Sequence, residues 1–169
     1  IAYEMGVSMS LGCEYYRNEQ IIDHMDNRKR PSMAGSRYVL IEFSMNDLFP
    51  TVRNYVYELV THGYQPIVAH VERYFCCQKM EKIQELKDMG ALIQVNAGSV
   101  LGEEGWKLKK FCLELMKKDL IDFIASDTHN TSDRKLNLKK CASYVTKKMG
   151  KQYAERIFFN NPLNILKNR

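Results

Sequence analysis

Short apolar runs alternate with longer amphipathic stretches along most of the chain. The short runs are rich in Val, Ile and aromatic residues, which indicates β-strands. The predicted strands cover residues 7–11, 38–43, 66–70, 91–96 and 121–126. The longer stretches repeat apolar residues at helical spacing, and the first two stop at Gly63 and Gly90. The predicted helices cover residues 51–62, 79–89, 106–118, 136–149 and 153–159. Residues 18–37 are polar and irregular, so we expect a short helix and a loop there.

This order of elements predicts one α/β domain. Strands that alternate with helices form a parallel sheet, because each helix carries the chain back to the edge where the next strand begins. No low-complexity segment and no linker rich in Pro, Gly or Ser interrupts the pattern. We therefore interpret residues 1–169 as part of a single domain.

Side chains that commonly bind metals lie at the ends of the predicted strands. Glu14 follows the first strand, Glu42 lies near the end of the second, and His70 closes the third. Asp127 and His129 follow the last strand, in the segment SDTHN. Glu14, Glu42 and His70 are spaced by 28 residues each time, close to the roughly 30-residue strand–helix unit of a (β/α) barrel. The spacing places the five side chains at the carboxyl rim of such a barrel, where barrel enzymes build their sites.

Three carboxylates and two imidazoles in one cleft would repel one another and would be costly to ionise. A divalent cation removes that cost. Oxygen and nitrogen ligands without cysteine favour manganese, iron or zinc at an open catalytic site, with magnesium as a further candidate. Two ions bridged by carboxylates about 3.5–4 Å apart could act on a phosphoryl group.

Each of these residues taken alone also has a structural explanation. His70 could be a hydrogen-bonded core histidine, Glu42 could form a salt bridge, and SDTHN could be a helix-capping turn. The common placement of all five at predicted strand ends favours the metal site.

Composition and charge narrow the class of protein further. Residues 133–169 hold ten Lys and Arg against two acids, a net charge of +8 within a chain total of +5. Such a basic tail could contact an anionic partner or be the solvated face of surface helices, and we expect no nucleic-acid partner. No apolar run approaches the roughly 20 residues of a membrane span, and five cysteines without a CxxC pair indicate reduced thiols. We therefore expect a cytoplasmic protein.

Four segments, in this order, resemble the bacterial PHP-domain (polymerase and histidinol phosphatase) protein-tyrosine phosphatases of capsule and exopolysaccharide operons. The segments are LIEF, IVAHVERY, GALIQVNAGSVLG and DFIASDTHN. The combination of AHVER, QVNAGS and SDTHN is specific to that branch, and the resemblance runs from about Leu11 to the C-terminus.

The resemblance implies a distorted (β/α) TIM-like barrel of the PHP type, with a cluster of manganese or similar ions at its carboxyl rim. The activity it implies is hydrolysis of phosphotyrosine on a cognate autophosphorylating tyrosine kinase. The metal ligands it implies are Glu14, Glu42, His70, Asp127 and His129. It further implies that Arg73 and Arg134 hold the phosphate, since a guanidinium fork matches phosphate oxygens. Without the motifs, both arginines would be interpreted as surface salt bridges.

The residues that follow the cysteines favour a metal-dependent mechanism of phosphate hydrolysis. A cysteine-dependent tyrosine phosphatase needs an arginine six positions after its thiolate. Those positions hold Glu19, Lys82, Ile83, Lys118 and Lys147. Hydrolysis would therefore depend on water activated by metal, without a covalent phosphoenzyme.

Two departures from the family pattern modify the expectation. Val71 stands where the family usually has proline, and this removes no ligand. The family begins with a strand carrying an HxH pair and has a further histidine after the second strand, yet this chain opens with IAYEMGVSMS. We expect that roughly 70 N-terminal residues, about two barrel units, are lacking. The metal cluster of this polypeptide would then be incomplete, with low or absent metal affinity and activity.

Two alternative functions stay open. One is a PHP phosphoesterase that acts on a small molecule such as histidinol phosphate. The other is an inactive fragment that serves only as a binding module, in which the basic tail contacts an anionic partner.

Overall fold

The computed structural model describes residues 6, 8–17, 21–27, 31–132 and 136–168. The strands are β1 Glu14–Tyr16, β2 Tyr38–Glu42, β3 Gln65–Val68, β4 Leu92–Asn96 and β5 Phe123–Ala125. The α-helices are α1 Ile21–Asp26, α2 Phe49–Thr61, α3 Met80–Asp88, α4 Ala97–Leu101, α5 Trp106–Lys117, α6 Leu138–Met149, α7 Lys151–Glu155 and α8 Asn161–Lys167. Shorter elements are the 3-10 turns Met33–Gly35, Val71–Arg73 and Phe75–Cys77 and the π-helical segment Arg156–Asn160.

The five strands form one parallel sheet in the order β1-β2-β3-β4-β5. Each strand pairs with the next one along the chain, so all the carboxyl ends lie on the same edge. The α/β class with a parallel sheet is confirmed. The sheet is nevertheless open over the described residues, since β1 and β5 each have one neighbour and do not pair with each other. Closure into the expected barrel is therefore not seen in this part of the chain.

Four predicted strands are confirmed with ends shifted by at most two residues, and the first is wrong. Residues 8–13 have no regular secondary structure, residue 7 lies outside the described part, and the strand runs from Glu14 to Tyr16. Met9 and Leu11 are 79% and 74% exposed, whereas Tyr15 is buried. The apolar residues at 9 and 11 therefore do not face the core, and pairing with β2 defines the strand.

The predicted helices 51–62, 79–89, 106–118 and 136–149 are confirmed as α2, α3, α5 and α6. The predicted helix 153–159 spans the end of α7 and most of the π-helical segment. Two helices were not predicted. Helix α4 begins at Ala97, directly after the last residue of β4, so its apolar residues merge with the strand pattern. Helix α8 follows the π-helical segment without an intervening loop.

The two faces of the sheet differ in what covers them. On one face Val39, Ile41, Val68, Ile93 and Val95 are fully buried in the main core, together with the apolar sides of the helices. The other face holds a smaller apolar cluster of Tyr38, Ile67, Phe123 and Ile165. Because successive strand residues point to opposite faces, the register places Glu14, Glu42, Gln94 and Asn96 on this second face. Glu42 and Asn96 end their strands, whereas Glu14 is the first residue of β1 and pairs with Leu40, so the prediction that Glu14 follows the first strand is wrong.

The cysteines and the helix lengths bear on the class of protein. All five cysteines are free thiols, and Cys77, Cys112 and Cys141 are buried. Burial raises the pKa of each of these three thiols, to about 12 for Cys141. Buried neutral thiols are poor nucleophiles, in agreement with a thiolate-free chemistry. Among the described helices, none has the length and apolar character that crossing a membrane would require.

Candidate metal centre

Glu14, Glu42 and His70 come together near the carboxyl edge of the sheet. Nε2 of His70 lies 3.1 Å from Oε1 of Glu14 and 3.4 Å from Oε1 of Glu42. One potential ligand atom from each residue lies within 4.8 Å of the other two. Strands β1 and β2 carry the two glutamates, and the turn after β3 carries the histidine. The parallel strands thus bring together residues that are far apart in sequence.

The backbone of His70 adopts an unusual conformation and is held by its neighbours. Its φ and ψ of 30° and 51° lie in the left-handed region, which residues other than glycine rarely adopt. The His70 N–H donates to Oε1 of Gln94 at 2.6 Å, and Nδ1 lies 3.2 Å from the Tyr74 hydroxyl. That hydroxyl also accepts the N–H of Phe43 at 3.1 Å. When the hydroxyl accepts the Nδ1 proton as well, Nε2 keeps the lone pair with which it can bind a cation.

The surroundings of His70 attract positive charge to its ring. Burial alone would lower the pKa of the imidazole, which is 5% exposed. The hydrogen bond with Glu14 and the charges of Glu14 and Glu42 outweigh burial, so the pKa is raised above the ordinary value of 6.5. A proton on Nε2 satisfies the two glutamates in the metal-free chain, and a cation can take its place.

The donor set fits a divalent cation. Two carboxylates and an imidazole, without a thiolate, are ligands that manganese, iron or zinc accept at catalytic sites. Metal–ligand bonds of about 2.0–2.2 Å place neighbouring ligand atoms about 3–3.5 Å apart. The separations of 3.1 and 3.4 Å measured from Nε2 match that spacing. Glu14, Glu42 and His70 could therefore hold a metal without a rearrangement of the backbone.

Asp127 lies beside these residues and has other partners. Its Oδ2 accepts hydrogen bonds from Nδ2 of Asn96 at 2.9 Å and from Nη1 of Arg73 at 3.2 Å. His129 is exposed, and its Nδ1 donates to the carbonyl of Asp127 at 2.9 Å. Within the described residues, neither joins the group of three whose ligand atoms are mutually close. That Asp127 and His129 bind metal stays a prediction.

Arg73 is held between two carboxylates. Its Nε and Nη2 each donate to one oxygen of Glu104 at 3.0 Å, and Nη1 donates to Asp127. These contacts use three of the five N–H donors of a guanidinium. Arg73 is thus both an ion-pair partner and a cation close to the cluster. Arg134, the second predicted phosphate ligand, lies outside the described residues.

Several polar residues that surround the centre were not predicted from the sequence. They are Glu72, Tyr74, Gln94, Asn96 and Glu104. Gln94 and Asn96 had a visible signal, since two polar residues alternate within an otherwise apolar strand. Glu104 had none, because it stands beside an equivalent Glu103 in a polar loop.

Glu72 is the most buried acid near the centre. It has no exposed surface, and its Oε1 accepts the N–H of Asn96 at 3.0 Å and the hydroxyl of Ser99 at 2.7 Å. Burial raises the pKa of this carboxyl above its ordinary value. Glu72 thus fixes the junction between β4 and α4, from a position two residues after His70.

A cavity of about 200 Å³ opens onto the cluster. One end is polar and the other is apolar. The polar lining comes from Glu14, His70, Gln94, Asn96 and Asp127, and the apolar lining comes from Met33, Leu40, Ile67, Phe123, Ala125 and Ile165. The cavity as a whole has room for ions, water and a small anionic group.

Comparison with known proteins places the chain in a family. A family model described as capsular polysaccharide synthesis, CpsB/CapC, matches residues 2–167. The chain belongs to the CpsB/CapC family. This confirms the resemblance to phosphatases of capsule operons.

Curated CpsB/CapC relatives are named as tyrosine phosphatases. The chain is 30% identical to tyrosine-protein phosphatase CpsB of Streptococcus pneumoniae, over 94% of this chain and 68% of that protein. It is 37% identical to the putative tyrosine-protein phosphatase CapC of Staphylococcus aureus, over 81% of this chain and 54% of that protein. The chain therefore spans about one half to two thirds of the length of these relatives.

A solved CpsB-type structure shares the fold. It comes from crystal structures of YwqE from Bacillus subtilis and CpsB from Streptococcus pneumoniae, described as metal-dependent tyrosine phosphatases. The TM-score is 0.88 with 27% identity, over 99% of this chain and 68% of that chain. The arrangement of strands and helices described above is thus that of a known metal-dependent tyrosine phosphatase.

Proposed function

We propose that this chain forms most of a metal-dependent protein-tyrosine phosphatase. The observation that carries the proposal is the meeting of Glu14, Glu42 and His70 at the carboxyl edge of the sheet, with Arg73 beside them. The proposed substrate is phosphotyrosine on a bacterial tyrosine kinase that controls capsule or exopolysaccharide synthesis, and the proposed location is the cytoplasm. The names of the CpsB, CapC and YwqE relatives support this activity.

We further propose that the chain is part of a PHP-type barrel domain. Residues 1–169 would form the C-terminal two thirds to three quarters of one PHP-type domain, and the open sheet would belong to a distorted (β/α) barrel. The similarity to a solved phosphatase chain of which 68% is spanned supports this interpretation.

The proposed cofactor is a cluster of divalent ions, with manganese as the first candidate. Glu14, Glu42, His70, Asp127 and His129 are the proposed ligands, and the first three have the closest ligand atoms. When bound, the metal would neutralise phosphoryl oxygens and lower the pKa of a water molecule. Tyr74 would hold the proton of Nδ1 and so keep the lone pair of Nε2 on His70 directed at the ion.

Arg73 and Arg134 are the proposed phosphate ligands. Glu104 binds the Nε side of the Arg73 guanidinium and so fixes its plane, while Asp127 accepts from Nη1. Within the part of the chain that the structure describes, the two remaining N–H groups have no hydrogen-bond partner, and they would contact phosphoryl oxygens in a charge-assisted, planar arrangement. Held in this way, the guanidinium would stabilise the charge that develops on the phosphoryl group without first reorganising.

Hydrolysis of a phosphotyrosine peptide with and without manganese tests the proposal. We expect turnover with manganese, no turnover after chelation, and little inhibition by vanadate, because no cysteine thiolate takes part. His70→Gln should lower kcat/KM by at least about 100-fold, since it removes an imidazole ligand. His62→Gln is the matched control, because His62 caps the end of α2, at the opposite end of β3 from His70, and its imidazole Nδ1 lies 2.8 Å from the carbonyl of Glu58.

The alternatives predict different results. Faster hydrolysis of histidinol phosphate than of the phosphotyrosine peptide would indicate a small-molecule phosphoesterase. Absence of both manganese binding and hydrolysis, with an anionic partner still bound, would indicate a binding module.

A further inference from the structure

Strand β4 carries two buried amides where the sheet pattern calls for apolar residues. Gln94 and Asn96 are 5% and 1% exposed and lie on the same face of the strand. A buried amide lowers stability unless its oxygen and its NH₂ group find partners. The two residues therefore require a structural or functional reason.

The amides form a continuous chain of hydrogen bonds. The N–H of His70 donates to Oε1 of Gln94 at 2.6 Å, and Nε2 of Gln94 donates to Oδ1 of Asn96 at 2.9 Å. Nδ2 of Asn96 then donates to Oδ2 of Asp127 at 2.9 Å. We call these three bonds between His70, Gln94, Asn96 and Asp127 the amide relay. The relay connects the ends of β3 and β5 across β4.

Both ends of the amide relay have an unfavourable backbone. His70 has φ of 30° and Asp127 has φ of 51°. Neither residue is glycine, and a left-handed conformation is unfavourable for such residues. These conformations persist where surrounding contacts hold them. The relay supplies such a contact to the backbone of His70 and to the side chain of Asp127.

With a carboxylate at Asp127, amides at positions 94 and 96 satisfy every bond of the relay. Each amide accepts through its oxygen and donates through its nitrogen, so the donor direction runs without a break from a backbone N–H to a carboxylate. A carboxylate in either position would lack the donor, and an aliphatic side chain would leave the buried partner groups unsatisfied. Glu72 fixes the backbone of the relay at Asn96, since its Oε1 accepts the N–H of that residue.

We propose that Gln94 and Asn96 are positioning residues, and that the amide relay sets the relative placement of His70 and Asp127 for a divalent cation. The inference rests on the proposed function, in which His70 and Asp127 are metal ligands. Gln94 and Asn96 of β4 would not touch the metal themselves. They would orient the ligands that follow β3 and β5. Mutation of such outer partners typically weakens metal binding by about 10- to 100-fold.

Manganese binding by calorimetry and the visible spectrum of the cobalt-loaded chain test the inference. Asn96→Leu and Gln94→Met keep side-chain size and remove the relay. We expect each to weaken manganese binding by about 10- to 100-fold and to change the cobalt spectrum. Asn161→Leu is the matched control, because Nδ2 of Asn161 donates at 2.8 Å to the carbonyl of Asp122, just before β5. The control should leave metal affinity and spectrum unchanged.

A residue exchange covers the case in which the apolar variants fold poorly. Asn96→Asp alone places two carboxylates side by side and should lower the melting temperature of the metal-free chain. Asn96→Asp with Asp127→Asn restores one donor and one acceptor, so the melting temperature should recover. Manganese affinity should stay low, because the ligand carboxylate has moved.

The outcomes separate the inference from the proposed function. If the apolar variants or the exchange bind manganese as the parent chain does, the relay is only structural and the inference is wrong. If the parent chain binds no manganese and hydrolyses no phosphotyrosine, the proposed function fails first and the inference with it.

Discussion

At the scale of single residues, the centre depends on how neighbours set the charge and direction of two side chains. His70 faces two glutamates with one ring nitrogen and a tyrosine hydroxyl with the other. Arg73 is fixed by Glu104 on one edge of its guanidinium. Both arrangements orient a group in advance of any ligand, which reduces the cost of binding.

The raised pKa of His70 predicts opposite pH dependences without and with metal. Without metal, the protonated imidazole stabilises the fold fully below about pH 6.5, and this contribution is lost as pH rises through the raised pKa. We expect the melting temperature in chelator to fall as the pH rises above about 6.5, relative to His70→Gln. With manganese bound, the melting temperature should instead rise with pH over the same range, because the metal requires neutral imidazole. Equal pH profiles for the parent chain and His70→Gln would contradict this.

Arg73 should affect catalysis more than metal binding. Arg73→Lys replaces a planar fork by one ammonium, which cannot contact Glu104, Asp127 and a phosphoryl group together. We expect kcat/KM for a phosphotyrosine peptide to fall by about 10- to 100-fold, equivalent to one or two charge-assisted hydrogen bonds. Glu104→Gln should have a smaller effect, since a neutral oxygen still binds the fork. Manganese affinity, measured by calorimetry, should stay within about two-fold of the parent value, and a parallel loss of affinity would refute the assignment.

At the scale of elements, the strand-to-helix junction at β4 and α4 connects the centre to the core. Helix α4 has five residues and starts without a loop after Asn96. Short helices are unstable by themselves. Its first turn is fixed by Glu72, whose Oε1 accepts from Asn96 and from Ser99.

Substitutions of Glu72 should therefore show whether its hydrogen bonds or its negative charge stabilise this junction. Glu72→Ala leaves a cavity and two buried donors without an acceptor, so we expect a loss of about 2–4 kcal/mol in the free energy of unfolding. Glu72→Gln keeps an acceptor oxygen and removes an acid whose ionisation is disfavoured by burial, so the change should be within about 1 kcal/mol. Urea unfolding at neutral pH measures both. A larger loss for glutamine than for alanine would contradict the capping role.

At the scale of the whole molecule, the sheet separates a helix-covered core from a face that carries the centre. The main core lies on one face, and the cavity with the candidate metal-binding residues lies on the other. The basic residues of α6 are a third region. Lys139, Lys147 and Lys148 are exposed, and Lys140 forms an exposed ion pair with Glu103.

Neutralising this basic region should leave the phosphatase activity intact. Changing Lys139, Lys140, Lys147 and Lys148 to Gln lowers the net charge from +5 to +1 and removes one exposed ion pair, which contributes about 0–1 kcal/mol. We expect kcat/KM on a short phosphotyrosine peptide to stay within about two-fold of the parent value. If hydrolysis is lost while manganese binding is kept, the basic residues of α6 contribute to the site. The prediction that they are independent of the site would then be wrong.

The sequence by itself determined the features that depend on local periodicity. Four strands, four helices and the parallel α/β class follow from patterns within segments of 5 to 14 residues. The 28-residue spacing also predicted that Glu14, Glu42 and His70 lie close together, and their ligand atoms do. The predicted register was wrong for Glu14, which begins β1 and pairs with Leu40.

Only the tertiary structure decided the contacts that span the sheet. The bond between Arg73 and Glu104 joins residues 31 apart, and those from Asn96 to Asp127 and from His70 to Gln94 join residues 31 and 24 apart. The position of β1 was likewise set by pairing with β2, since its own three residues carry no periodic signal. Such partners are chosen by the geometry of neighbouring strand ends, which a local pattern along one segment does not contain.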